Sequence, residues 1–368
     1  MKKNYDQMMK CDIKLIIHYM SNKIDLLDPE LILKYGTKTS AKDDFERFIQ
    51  SYIELHDKYN YSMIKRIEES PFKVGFIDDI YHFYALTDSG LITYETNQEN
   101  GLVSEFSRFQ NNDPIQCVSQ NPKNPYLFAL LTNGIITIYN ISTNESQEIN
   151  LGKPVIQIAW LNDMSSLVCL YKNLSVGTLD LDKGVVNCTT SNLDSTIDSH
   201  FLLAHPQHNL AAICDDQLRL IDFRESPKIR NFLLKKPATA ISWLPNNYFG
   251  CAIGFADGDI DFFSFDNDSV VMSFEDESIT EPICGIEFCP TNPCAVSLVV
   301  DKNIIFASMP SWGFGSLSKA GTYRTHLSPI LDAHWIADDV NASMITCDAD
   351  HMIHIFDVPD EFIPIYEP

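Results

Sequence analysis

The chain has 368 residues, 45% of them hydrophobic and 11% aromatic, and it sets 27 Lys and Arg against 50 Asp and Glu for a formal charge of -23. That apolar content supports a large core, and the negative excess repels nucleic acid and anionic membrane while favouring basic protein partners. No signal-peptide pattern or apolar run of membrane-spanning length occurs, so the expectation is no membrane insertion and a cytoplasmic or nuclear setting.

The charge is uneven. Residues 1–70 hold 12 basic and 12 acidic side chains, so the remainder, with 15 against 38, carries the whole excess. Ten cysteines are scattered without CxxC spacing, several inside apolar stretches (Cys117, Cys169, Cys214, Cys251, Cys347). Such thiols behave as small hydrophobes in a reducing compartment. Cys284, Cys289 and Cys294 stand five apart, which is not zinc spacing.

The front of the chain, residues 1–58, reads as a short helical extension. Met8 to Met20 is apolar-rich, Asp28-Pro29 is an N-cap and first-turn pair, and Gly36 is a stop. Ser40 with Asp43 resembles a capping box, and Phe45, Phe48, Ile49, Tyr52, Ile53 and His56 follow helical spacing. Tyr59 to Glu69 then reads as a strand with no partner of its own, and it is expected to supply the outer strand of the last sheet unit.

From Pro71 onward the chain repeats. Asp88, Asn133, Asn173, Asp215, Asp257, Asp301 and Asp350 each precede by six residues the residue that ends an apolar strand. Successive markers lie 45, 40, 42, 42, 44 and 49 apart, and Pro71, Pro114, Pro154, Pro237, Pro282 and Pro329 open a strand 17 to 21 residues ahead of their markers. A period of roughly 40 to 45 residues made of short strands is that of a propeller blade, whose two faces are buried only when blades pack in a ring. The fold class is therefore all-β, a seven-bladed β-propeller over 59–368, with Pro310 to His326 as a Gly/Ser/aromatic insertion in blade six.

Ile221-Asp222, Leu179-Asp180 and Phe356-Asp357 stand where the WD-repeat family ends its third strand with Trp-Asp. The chain resembles that family over about 300 residues through repeat spacing, with no Trp at that place in any blade. The resemblance implies an interaction scaffold. It also implies a rigidifying hydrogen-bonded chain, for which blade seven keeps His326, Thr346 and Asp350, although Phe356 has no N–H to donate. Leu15, Ile16, Tyr19 and Met20 are similar to the core of the LisH motif, which implies dimerisation through the N-terminal helices; the other reading is a helical hairpin docked on the propeller.

No catalytic, cofactor or metal site is expected. His351 and His354 are three apart, so a strand would place their rings on opposite faces. His205 and His208 flank Pro206 and are expected in solvent. No hydrolase elbow, phosphate loop, zinc-protease motif or dinucleotide fingerprint occurs.

What remains is surface. In the WD-repeat family the turn before the third strand and the loop between blades share one end of the ring. Asp215, Asp257, Glu275, Asp276 and Glu277 are accordingly expected on a negative face, with Trp312, Phe314, Tyr323 and Arg324 of the insertion as contacts. The partners expected are other protein subunits with basic segments. The alternative is an architectural propeller that packs by its rim, as in coats, nuclear pores or motor assemblies.

Overall fold

The computed structural model describes residues 61–97, 103–163, 165–183, 185–189, 201–224, 228–245, 248–309, 317–323, 326–337 and 342–363. The expected helices of residues 1–58 lie outside them. No described helix is long and apolar enough to cross a membrane.

Strand β1 (Tyr61–Arg66) is followed by blade 1, built of β2 to β5 (Pro71–Phe76, His82–Thr87, Gly90–Thr96, Val103–Gln110). Blade 2 is β6 to β9 (Ile115–Gln120, Leu127–Thr132, Ile135–Asn140, Glu145–Asn150) and blade 3 is β10 to β13 (Val155–Trp160, Ser166–Tyr171, Val176–Asp180, Val185–Thr189). Blade 4 is β14 to β17 (Phe201–Ala204, Leu210–Cys214, Gln217–Asp222, Lys228–Leu233), and blade 5 is β18 to β21 (Ala238–Trp243, Gly250–Phe255, Ile260–Ser264, Ser269–Phe274). Blade 6 is β22 to β25 (Ile283–Phe288, Ala295–Val300, Asn303–Ser308, Ser318–Tyr323). Blade 7 has β26 to β28 (Ile330–Ala337, Ala342–Asp348, Met352–Asp357) and takes β1 as its fourth strand, in the order β1-β28-β27-β26.

Each sheet is antiparallel, and apart from the β1–β28 pair its neighbours are sequential, so the seven sheets form a seven-bladed β-propeller. The expected closure is present: β1 pairs with β28, Ile64 opposite His354, and the edge of the last blade is covered by the strand that precedes the first. The end of the chain plays a different part. Asp360–Phe362 is a 3-10 turn, and Phe362 stacks on Phe306 of blade 6 at 5.2 Å.

The core is distributed between blades. Seven apolar clusters occupy the seven interfaces, for example Met344 and Phe356 against Phe306 and Tyr323 of blade 6, and Ile345 and Ile353 against Val74 and Phe83 of blade 1. Because successive residues of a strand face opposite sides, a second strand, covered on both faces by neighbouring blades, is apolar at nearly every position. Thus β23 (AVSLVV) is buried throughout, while the outer strand β9 (ESQEIN) is almost wholly exposed.

Two expectations change here. Ser318–Tyr323, taken as part of a loop insertion, is the outer strand of blade 6; an outer strand has one neighbour and a wet edge, so Gly, Ser and Lys suffice. His205, expected in solvent, is 4% exposed and packs edge-on against Trp243 at 4.6 Å. His208 does remain exposed.

Candidate interaction face and central channel

In each blade the chain runs in along the first strand and alternates direction, so the turn between strands two and three shares an end with the loop leading to the next blade. Backbone bonds lock the two together. The first residue of an inner strand donates to the turn of the preceding blade in Ile115 to Asp88 (3.3 Å), Ala238 to Asp215 (3.0 Å) and Ile330 to Asp301 (2.7 Å). The turns need left-handed backbone, as at Asn133, Asp301 and His351, and at Gly258, where a Cβ would meet the Ile279 carbonyl oxygen at 2.3 Å.

The acidic residues at this end divide three ways. Asp88, Asp113, Glu275, Glu277, Glu281 and Asp301 are exposed, with Asp276 half-buried beside them. Asp257 is exposed but tied, with Asp259, to Lys236 of the adjoining loop. Asp215 is a correction: it is 1% exposed and makes a 2.7 Å ion pair with the equally buried Arg219 four residues on. Burial alone would raise its carboxyl, but hydrogen bonds with Asp216 and Arg219 hold it below the ordinary range. A turn Asp followed at i+4 by Arg on an inner strand is the signal that separates this residue from its exposed counterparts.

Tyr323 is the second correction. It ends β25, is 2% exposed and stacks on Phe356 at 3.8 Å, so it is a core residue between blades 6 and 7. Trp312, Phe314 and Arg324 lie outside the described residues.

The inner strands begin irregularly. In six blades one residue is bulged out of the pairing between the first and third positions, leaving Phe72, Gln116, Ile156, Thr239, Cys284 and Leu331 unmatched. A bulge re-aims its side chain, and here Gln116, Cys284 and Leu331 (43%) are exposed where the channel opens on the acidic end.

Below that mouth is a cavity of about 380 Å³ with two unlike walls. Ile158, Phe201, Leu203 and Ile241 of blades 3 to 5 make one apolar, while Lys73, Glu287, Asp332 and His334 of blades 1, 6 and 7 make the other ionic. His334 lies 2.6 Å from Glu287 and 3.1 Å from Asp332. Burial would lower its proton affinity, but the charges of Asp332 and Glu287 raise it well above the ordinary value. For Asp332, burial opposes and His334, then Lys73, favours the charged form, and the balance holds its carboxyl low.

These carboxylates also join blades. Glu287 accepts the Trp335 N–H across the 6/7 interface (2.7 Å), and Asp332 accepts the Val74 N–H across the 7/1 interface (3.1 Å). The ring is therefore closed at its centre as well as at its rim. Ser119 accepts the Trp160 N–H in the corresponding way between blades 2 and 3 (3.0 Å).

A second polar cluster lies inside blade 7. His326 Nδ1 meets Asp348 at 2.9 Å and its Nε2 meets Thr346 at 2.8 Å, all three buried. The expected chain contained Asp350. Asp348 takes that part because its other oxygen caps the turn, accepting the N–H groups of Asp350 (2.9 Å) and Met352 (3.0 Å). With Asp348 as marker, six residues on is His354, opposite Thr346 in the ladder. His354 is buried, stacks on His326 at 4.0 Å and 21°, and its Nδ1 meets the Tyr323 hydroxyl at 3.2 Å. His326, Asp348 and His354 are close enough to suggest a metal, but both nitrogens of His326 are engaged in hydrogen bonds to Asp348 and Thr346. The arrangement is a hydrogen-bonded stack.

No protein-family model matches the chain, and no curated protein is similar to it in sequence.

Proposed function

We propose that this propeller is a non-enzymatic scaffold subunit, of divergent WD-repeat type, that receives a basic segment of another protein on the end where turns and interblade loops meet. The observation that carries the reading is the set Asp88, Asp113, Glu275, Glu277, Glu281 and Asp301: exposed at one end, none has a Lys or Arg within ion-pair distance among the described residues. Long-range attraction to such a face speeds encounter and orients a cationic partner, while bulged apolar residues such as Leu331 supply desolvated contact at its centre. The same field disfavours direct contact with nucleic acid. The buried free cysteines suit the cytoplasm or nucleus, and the N-terminal segment is a second contact.

The test is binding of a fluorescent Lys/Arg-rich peptide to the full chain across a salt titration. Affinity is expected to fall at least tenfold between low and physiological ionic strength. The triple variant Glu275→Lys, Glu277→Lys, Glu281→Lys should lose binding with its melting temperature kept; salt-independent affinity or a silent variant refutes the reading.

A second reading rests on the rim. The outer strands of blades 1 and 5 each carry a bulge, and the extra residues, Phe106 and Val271, are 51% and 54% exposed. In an architectural subunit these are the contacts, and Phe106→Asp or Val271→Asp, rather than the acidic variant, abolishes complex recovery.

A further inference from the structure

The channel wall of blade 4 is unlike those of the other blades. Its inner strand β14 reads Phe201-Leu202-Leu203-Ala204, without a polar side chain, and all four residues stay half-buried. Every other inner strand carries at least one polar or charged residue. Phe201, Leu202 and Leu203 line the channel cavity, and across the ring from them Glu287, Asp332, His334 and Lys73 line it too. Leaving Phe and two Leu partly wet costs free energy unless a partner covers them.

The ionic wall is already matched within itself. His334 stands 2.6 Å from Glu287 and 3.1 Å from Asp332, and each carboxylate also accepts a backbone N–H, from Trp335 and from Val74. Lys73 adds a favourable charge to Asp332. A Lys or Arg side chain entering the channel would have to compete with His334 for these carboxylates and would lose hydration against the leucines. An uncharged apolar side chain meets β14 without either cost.

The mouth above has the opposite character. Its exposed acids lie to both sides of the channel, Glu275, Glu277, Glu281 and Asp301 over blades 5 and 6, and Asp88 and Asp113 over blades 1 and 2. Leu331, 43% exposed, stands between them on blade 7. A segment that spans the mouth therefore meets carboxylates near both ends and an apolar well in the middle. The cavity of about 380 Å³ is small among ligand sites of about 300 to 1,000 Å³, a size for one large side chain and not for a helix or hairpin.

We infer that the channel is the anchor pocket of the acidic face: the partner's basic segment is interrupted by one large apolar residue of the Leu, Met or Phe kind, which enters the channel and packs on Phe201, Leu202 and Leu203 while the flanking Lys and Arg stay at the mouth. The inference rests on the basic-segment reading and adds to it the residue that the channel selects.

The experiment compares two fluorescent peptides of equal charge on the full chain, Lys-Arg-Lys-Leu-Lys-Arg-Lys and the same peptide with Ala at its centre. The Leu peptide is expected to bind about tenfold or more tightly than the Ala peptide, as burial of one such side chain requires. Apolar contact is not screened, so that ratio should persist while added salt weakens both. Leu203→Asn should bring the ratio towards one, whereas the triple variant Glu275→Lys, Glu277→Lys, Glu281→Lys should weaken both peptides together. Equal binding of the two peptides to the wild-type chain overturns the anchor and leaves the acidic-face reading standing; binding of neither overturns both. Should Leu203→Asn fail to fold, a photo-leucine at the peptide's centre decides on the wild-type chain: crosslinks at 201–203 support the pocket, and their absence there refutes it.

Discussion

Asp215 and Asp257 occupy the same place in successive repeats, yet one is buried against Arg219 and the other reaches solvent to meet Lys236. The difference lies four residues downstream, where Arg219 is drawn into the blade interface and must be neutralised there. Removing one partner leaves the other charge buried and unpaired, so Arg219→Met is expected to cost about 3 to 5 kcal/mol in a urea titration. The double variant with Asp215→Leu should recover most of that loss, because it buries no charge. His354 gives a related lesson. The odd spacing from His351 was taken within one strand, but His351 is a left-handed turn residue ahead of β28 and His354 is in the core. Which of two nearby Asp residues caps the turn decides the register, and sequence spacing alone favoured the wrong one.

At the scale of elements, the strand over Tyr59 to Glu69 was legible because an apolar segment just ahead of the first blade had no partner in its own repeat. Its β1 core completes blade 7. The Ile67 N–H bonds the His351 carbonyl, so two residues back Lys65, opposite Ile353, holds a hydrogen-bonded place in the ladder; Lys65→Pro removes that donor and is expected to destabilise the whole ring by about 1 to 3 kcal/mol. A melting curve unchanged from wild type would show that β1 does not bear on closure. The outer strand of blade 6 was not legible, since SKAGTY opens with Ser, Lys, Ala and Gly, which are poor strand formers, and only its last two residues favour a strand. Gly321 has its own reason to be small: a Cβ there would meet the Phe362 ring at 2.1 Å, so the glycine admits the end of the chain onto blade 6.

For the whole molecule, the histidines make stability depend on pH in opposite senses. His334 keeps its proton in the folded channel above the ordinary value of about 6.5, so its contribution is complete below that pH and is lost as pH rises through the raised value. His205, lowered to about 4 by burial and then by His208, stays neutral when folded; its contribution is complete above about 6.5 and is lost as pH falls towards 4. Melting temperature against pH should therefore show a maximum near neutrality. His334→Gln is expected to flatten the alkaline limb and His205→Gln the acid limb, and a variant that flattens the opposite limb would reverse the assignment.

The sequence by itself determined the number of blades, their period, the all-β class and the strand that closes the ring, because each follows from local periodicity and from counting strands that lack partners. It also marked the turn residues that ring one end. Only the tertiary structure decided which of those acids face water, that Glu287, Asp332 and His334 of two blades converge in the channel, and that His354 faces His326. Those facts depend on which strands become neighbours across a blade interface, and residues about forty apart in the chain leave no periodic trace of meeting there.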